Sequence, residues 1–539
     1  MLKRRRAAVS LAALVAAAGC ATVDDELLDA NLPDAPTDWS TPDVAAAPPG
    51  DWVESFDDNQ LASLIDEAMT HNNTLLFAAA NLDAARNNAR GVRADLLPTL
   101  NAQGSAGRAA IVTDPTIAAQ SGGGGDGALA GLRAQELEDQ FGIDLDGDGE
   151  LDGLDFDGDG AFDAPIPNRR IYINNFQLGA QLNWELDLWG RIADRTRAAY
   201  KDARASMADF EAARMSIASS VAQAWFLLIE SRQQRELAER DVTARERNLS
   251  VTERRYNRGV SSSLDVRLSR SALGTSKANL ATRMQNEKEA SRSLEVLLGR
   301  YPGAELAAAS ALPSLPALDD AGAPGEILAR RPDLVAAELR MESAGLNARA
   351  ARKQMLPTFS LSSQLNTSGP DLADVIDPER LAGNIFSSIA QPLFQGGRLR
   401  ANARQARAQA QSSLLQYAQT ALEAYQEAEN AIAAENFLAV REEALKLAFE
   451  EAAAAEEITE RRYASGAENI FNLLDAQTRR ISSESQYLAA QRDRVTNRVV
   501  LYLSIGGDFL TSTDEAPLTA STGAPDAVAP ISAGDRYAT

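Results

Sequence analysis

Short motifs recur along this chain at fixed long offsets. Leu97-Pro98-Thr99 returns as Leu356-Pro357-Thr358, 259 residues on. Gly190-Arg191 returns as Gly397-Arg398, and Arg255-Tyr256-x-x-Gly259 as Arg462-Tyr463-x-x-Gly466, both 207 residues on. Separate motifs at a shared spacing mark duplication of one unit. The chain must therefore fold as two copies of a repeat. The drop in offset from 259 to 207 places an insert in the first copy, between Leu97 and Arg191.

Each copy reads as strand, strand and long helices. Ile217, Val221, Trp225 and Leu228 step at helical spacing, as do Leu414, Ala418, Ala421, Tyr425, Ala428 and Ile432. The stretches 195–256 and 399–463 contain no proline, and helices of that length run on the order of 90 Å. Their narrow, alanine-rich stripes suit coiled-coil packing. A soluble helical rod would also fit, but the strands argue against it. From Tyr172 the even positions run through Phe176, Leu178, Ala180, Leu182, Trp184 and Leu186. The odd positions between them include Asn175, Gln177, Gln181, Asn183 and Glu185. Such an alternation is long enough for a tilted membrane strand. Four strands cannot close a barrel, because bacterial barrels begin at about eight. The chain must oligomerise to remove its edges, and three copies give twelve strands.

The expected boundaries follow. The first repeat covers 51–300, with strands near 97–112 and 171–188 around an insert at 113–170. A linker covers 301–324. The second repeat covers 325–509, with strands near 356–368 and 383–394. Residues 20–50 read as a tether and 510–539 as a disordered tail.

The N-terminus reads as an export signal: Lys3-Arg4-Arg5-Arg6, then a short apolar stretch from Ala7 to Ala18, giving a signal peptide over 1–19. Cys20, the only cysteine, follows Ala17-Ala18-Gly19 and reads as a lipidated mature N-terminus, although lipoboxes usually carry leucine where Ala17 stands. Ordinary cleavage beside an incidental cysteine is the alternative. One histidine, His71, excludes a histidine-based triad or a multi-histidine metal site, so an enzyme is not expected. The net charge of −23 argues against a nucleic-acid partner. With no uninterrupted apolar run of membrane-spanning length, membrane residence requires strands or a lipid.

Several motifs in order resemble the TolC-like outer-membrane channel family, in its lipoprotein branch that partners resistance-nodulation-division (RND) pumps. They are Trp52-Val53-Glu54-Ser55-Phe56, Leu97-Pro98-Thr99, Glu185-Leu186-Asp187-Leu188-Trp189-Gly190-Arg191, Arg330-Arg331-Pro332-Asp333-Leu334, Pro392-Leu393-Phe394-Gln395-Gly396-Gly397-Arg398 and Gly506-Gly507. The resemblance implies a mixed α/β, mostly helical membrane protein. It would form a homotrimer whose 12-stranded barrel lies in the outer membrane, continuous with a periplasmic α-helical barrel. It implies a passive duct for multidrug-type efflux, energised by an inner-membrane RND pump and met by a periplasmic adaptor.

Glycines Gly259 and Gly466 are expected at the turns that end the long helix pairs. The tip residues Arg258, Val260, Ser261, Ser465, Ala467 and Asn469 would then meet the adaptor. The resemblance further implies a periplasmic gate in which Tyr463 pairs with Asp265 on the neighbouring helix pair. Glu468 replaces the family's arginine and Asn472 its first ring aspartate, while Asp475 keeps the second. A looser, hydrogen-bonded closure through Tyr463 and Asp265 is expected, with Leu473 narrowing the bore. Three symmetry-related Asp475 carboxylates would attract cations; a solvated helix-face charge is the alternative.

The insert carries Asp144, Asp146, Asp148 and Asp152, then Asp155, Asp157, Asp159 and Asp163. This spacing matches calcium-loop positions 1, 3, 5 and 9 twice, with glycine at position 6. Position 12 is Asp155 in the first loop and Ile166 in the second, so weak extracellular-type calcium sites over the pore mouth are expected. A solvated acidic loop is the alternative. Two rival functions remain open: the outer-membrane duct of a type I protein secretion system, and a calcium-binding surface lipoprotein without a pore.

Overall fold

A computed structural model describes residues 39–40, 52–113, 169–316 and 324–507. Cys20, the 144–163 aspartates and the 510–539 tail lie outside them. The described residues divide into two compact units, and both sequence repeats contribute to each. One unit holds the strands, and the other holds most of the helices.

The strand unit is a single antiparallel sheet in the order β1-β2-β3-β4: Thr99–Thr113, Arg169–Leu186, Thr358–Gly369 and Ala382–Ala390. The fourth strand stops before the expected 394 because Pro392 cannot donate to a ladder. The second stops before Asp187, whose carboxylate accepts from the Ala193 amide at 2.7 Å and so starts a helix. The corner between them is fixed by the motif 185–191. Arg191 pairs with Glu185 at 2.7 Å, the Trp189 indole donates to the Pro357 carbonyl at 2.7 Å, and Gly190 takes φ of 69°.

The register sorts the sheet into two faces. Leu182 lies opposite Leu100 and Ser363, and Trp184 opposite Leu361, which puts the apolar residues of three strands on one side. On that face Tyr172 lies under the Arg108 guanidinium, 4.7 Å from its ring centre. Trp184 stands twelve residues further on. At about 3.4 Å per residue and a tilt near 40°, the two aromatics are about 30 Å apart along a membrane normal, the span of a bilayer's apolar core with its aromatic girdles. β1 and β4 remain edge strands. Inside a membrane unpaired edge amides are costly, so further copies must cover them.

The helical unit contains α1 (Asn59–His71), α2 (Asn73–Ala94), α3 (Arg191–Asn257), α4 (Ser263–Leu297), α5 (Pro332–Lys353), α6 (Arg398–Ser465) and α7 (Ile470–Ser504). Helices α3 and α6 contain 67 and 68 residues, about 100 Å each. Asp58 caps α1 by accepting from the Gln60 and Leu61 amides, and its second oxygen accepts from the Trp225 indole. That ties the cap to the main core, where Trp52, Phe56, Leu61 and Ile65 pack on Val221, Trp225, Phe226, Leu294 and Tyr502. Each such buried side chain contributes roughly 1.5–3 kcal/mol. An 18-residue window of α3 is apolar enough by composition to cross a bilayer, yet half of it is buried inside the protein. Its apolarity belongs to this core.

Helices α6 and α7 meet along an alanine seam. Ala421, Ala424, Ala428 and Ala431 are buried against Leu501 and Ile505. Small residues at alternating three- and four-residue steps let the two backbones approach closely. Arg498 and Glu435 form a buried pair beside this seam at 2.7 Å, with Asn497 donating to the second Glu435 oxygen at 3.2 Å. The chain leaving α4 is fixed by Glu295, whose carboxylate accepts from the amides of Ala304, Glu305 and Leu306. Gly299, with φ of 74°, sits against the His71 carbonyl.

Candidate gate and docking tips

The two helix-pair tips are built alike, as duplication requires. After α3, the Gly259 amide donates to the Tyr256 carbonyl at 2.8 Å and the Val260 amide to the Arg255 carbonyl at 2.9 Å. After α6, the Gly466 amide donates to Tyr463 at 3.0 Å and the Ala467 amide to Arg462 at 2.9 Å. Both patterns close the last helical turn through a left-handed glycine, at φ of 76° and 82°. The next helix starts from an N-cap three residues on, Ser262 in the first tip and Asn469 in the second. Arg258, Val260, Ser465, Ala467 and Asn469 are exposed and Ser261 is half-buried.

The equivalent tyrosines part company. Tyr256 is exposed, whereas Tyr463 is buried with Ile470 and Leu473 against Val251, Leu268 and Leu474. This cluster joins residues of α3, α4, α6 and α7, so it holds the two tips together. The Tyr463 hydroxyl bonds Thr252 Oγ1 at 2.9 Å. The Arg255 guanidinium lies 4.9 Å from the Tyr463 ring centre and donates to the Tyr463 carbonyl at 2.6 Å. Thr252 and Arg255 are thus tip residues that the sequence reading did not single out. The repeated Arg-Tyr-x-x-Gly motif contained the signal for Arg255; nothing local marked Thr252.

One expected gate contact has no counterpart within the chain, and one expected gate role changes. Within the chain, Asp265 does not meet Tyr463. Its Oδ2 accepts from the Ser262 amide at 2.9 Å while the Asp265 amide donates to Ser262 Oγ at 3.2 Å, a reciprocal cap that starts α4. Leu473 does not project into a bore: it is fully buried, because its helical position places it on the packing seam of α7.

The remaining candidates form a polar rim. Glu468 accepts from Asn472 Nδ2 at 2.7 Å and from the Asn469 amide at 3.2 Å, with Arg462 3.7 Å away. These donors hold its carboxyl below the usual range, the Asn472 bond first. Asp475 is exposed and pairs with Arg479 one turn on, at 2.7 Å. Nearer the middle of the helices, Arg480 bridges Glu456 and Glu484, and Glu484 also meets Arg240 of α3. Among the described residues no cluster of acidic, histidine or cysteine side chains could hold a metal ion.

Comparison with known proteins places this geometry. The sequence profile of the outer membrane efflux protein family matches residues 64–300 and 323–507, well over half of the chain. The chain is 27% identical over 467 residues to outer membrane protein OprJ of Pseudomonas aeruginosa, covering 85% of this chain and 86% of that protein. It is 26% identical to the cation efflux system protein CusC of Escherichia coli, covering 85% and 88%. The solved outer-membrane channel OprN superposes with a TM-score of 0.70 at 25% identity, over 88% of this chain and 98% of that one. The Campylobacter jejuni channel CmeC shares the fold, with a TM-score of 0.74 at 20% identity over 90% and 95%. Both solved neighbours are outer-membrane channels. The chain belongs to the outer membrane efflux protein family and is the outer-membrane channel component of a tripartite efflux system.

Proposed function

We propose that the chain is a passive exit duct whose two tips receive a periplasmic adaptor, behind which an RND-type pump supplies the energy. The observation that carries this is the matched pair of tip turns. Both are held together by the Tyr463–Thr252–Arg255 contacts, and they expose Arg258, Val260, Ser465 and Ala467. Photo-crosslinking groups placed at Val260 and Ala467 in cells should capture an adaptor that co-purifies with an RND pump. Capture of an adaptor belonging to an ATP-driven exporter would instead favour the protein-secretion reading.

The gate in this reading is closed by the buried contact of Tyr463 with α3 rather than by an Asp265 bridge. Asp475 remains a candidate cation site at the rim. Relatives at similar identity are named for toluene, cation and pyoverdine export, which supports a duct whose cargo is chosen by its pump.

A lipid on Cys20 would anchor the mature chain in the membrane, and intact-mass measurement of the wild type against Cys20→Ser tests it. Calcium held by Asp144, Asp146, Asp148, Asp152, Asp155, Asp157, Asp159 and Asp163 would order a lid at the exterior mouth. Calcium titration of single-channel current from the barrel side tests that. An effect lost on replacing Asp144 and Asp155 by asparagine supports the lid, and an unchanged current removes it.

A further inference from the structure

One row of the sheet carries a carboxamide on every strand. Asn101 lies opposite Gln181, Gln181 opposite Gln364, and Gln364 opposite Asn384. Side chains two residues apart share a face, so the rows on either side extend the group. One adds Asn183 and Ser362, and the other adds Gln103 and Asn366. The opposite face at the same level carries Leu100, Leu182, Leu365 and Ile385. With the apolar face toward lipid, the carboxamide face lines the lumen.

The absence of charge on this face is unexpected. The chain is 24% charged with a net charge of −23. From the Ser105–Gln177–Ser368 row to the Thr99–Asn183–Ser362 row, no ionisable side chain lies on this face among the described residues. The first one beyond is Glu185, which Arg191 neutralises at 2.7 Å and 2.9 Å. Asparagine is also depleted from strands, so placing Asn101, Asn183, Asn366 and Asn384 within the strands costs local propensity. A lumen needs only polar side chains, and serine or threonine would have met that need more cheaply. What carboxamides add is a donor and an acceptor on one uncharged group.

We propose that this belt is the cargo-contact surface of the barrel. It is a charge-free sleeve that exchanges hydrogen bonds with hydroxyl-, amide- and amine-bearing solutes and does not sort them by charge. Ion selectivity then arises elsewhere, at the helical end or the exterior mouth. The inference rests on the chain forming an outer-membrane duct, and wild-type conductance is the control for that.

The test uses the full-length protein in planar bilayers. Single cysteines in place of Gln181 and of Leu182 are exposed to a membrane-impermeant sulfonated thiol reagent. The Gln181→Cys channel should be modified and lose current, while Leu182→Cys should be untouched. Gln181→Glu should raise the cation-to-anion permeability ratio roughly threefold at low salt, where screening is weak, and Gln181→Ala should leave it unchanged. Modification of Leu182→Cys with a silent Gln181→Cys would overturn the proposal, as would a several-fold change in the ratio from Gln181→Ala. No current from the protein, even with the Tyr463→Phe and Thr252→Val changes that open the gate, would overturn the duct itself, and the sleeve with it.

Discussion

Tyr463 and Thr252 offer a direct measure of how firmly the tips are held. Thr252 is fully buried and Tyr463 nearly so, and their hydroxyls meet at 2.9 Å. Thr252 Oγ1 also donates to the Asn248 carbonyl. In Tyr463→Phe the threonine therefore keeps one partner, and the loss should be about 0.5–1.5 kcal/mol. Thr252→Val leaves a buried phenol without a partner and should cost more, about 1–3 kcal/mol. The two changes together should cost less than their sum, with a coupling near 1 kcal/mol. If opening separates α3 from α6, that energy appears in the gate equilibrium. About 1 kcal/mol then multiplies the open-to-closed ratio roughly fivefold in each protomer. Open fraction in planar bilayers, recorded for both single variants and the double, reads this out. Additive effects, or an unchanged Tyr463→Phe beside an opened Asp265→Ala, would refute the intrachain latch and restore the Asp265 bridge.

Other consequences are as direct. Asp475→Ala should weaken divalent-cation block, and Arg479→Ala should strengthen it by unmasking the carboxylate that Arg479 now neutralises; equal block in all three proteins would remove Asp475 from the rim. Gly299→Ala should destabilise the helical unit by at least about 1 kcal/mol. Its Cβ would collide with the His71 carbonyl oxygen at a φ of 74°, so an unchanged unfolding midpoint would contradict this packing. Burial acts to raise the Glu295 carboxyl, but the three amides of 304–306 outweigh it and hold the group below its ordinary value. Its stabilisation is therefore complete above the unfolded pKa of about 4.3 and is lost as pH falls through the lower folded value. Glu295→Gln should lower stability by about 2–3 kcal/mol at neutral pH and flatten that acid limb of the stability profile.

Legibility from the sequence followed the range of the forces involved. Duplication, helix length and the strand alternation from Tyr172 are local or periodic signals, and they led to the four strands, the long helices and the glycine turns. The cap at Ser262 is legible in principle, since Ser262 and Asp265 have capping-box spacing, but the family resemblance points the same aspartate toward a gate. Leu473 failed for a related reason: an apolar residue near a tip reads equally well as a pore lining or a seam, and only the contacts of α3, α4 and α6 decide. Thr252 was invisible because its partner lies 211 residues away. The carboxamide row emerged only with the register, since four residues on four strands share no local spacing.

Single-channel recording from the purified wild-type trimer tests the central claim most directly. The account predicts a stable conductance that rises in the Tyr463→Phe/Thr252→Val protein. A correctly assembled trimer that passes no current, even with both latch hydroxyls removed, would contradict it.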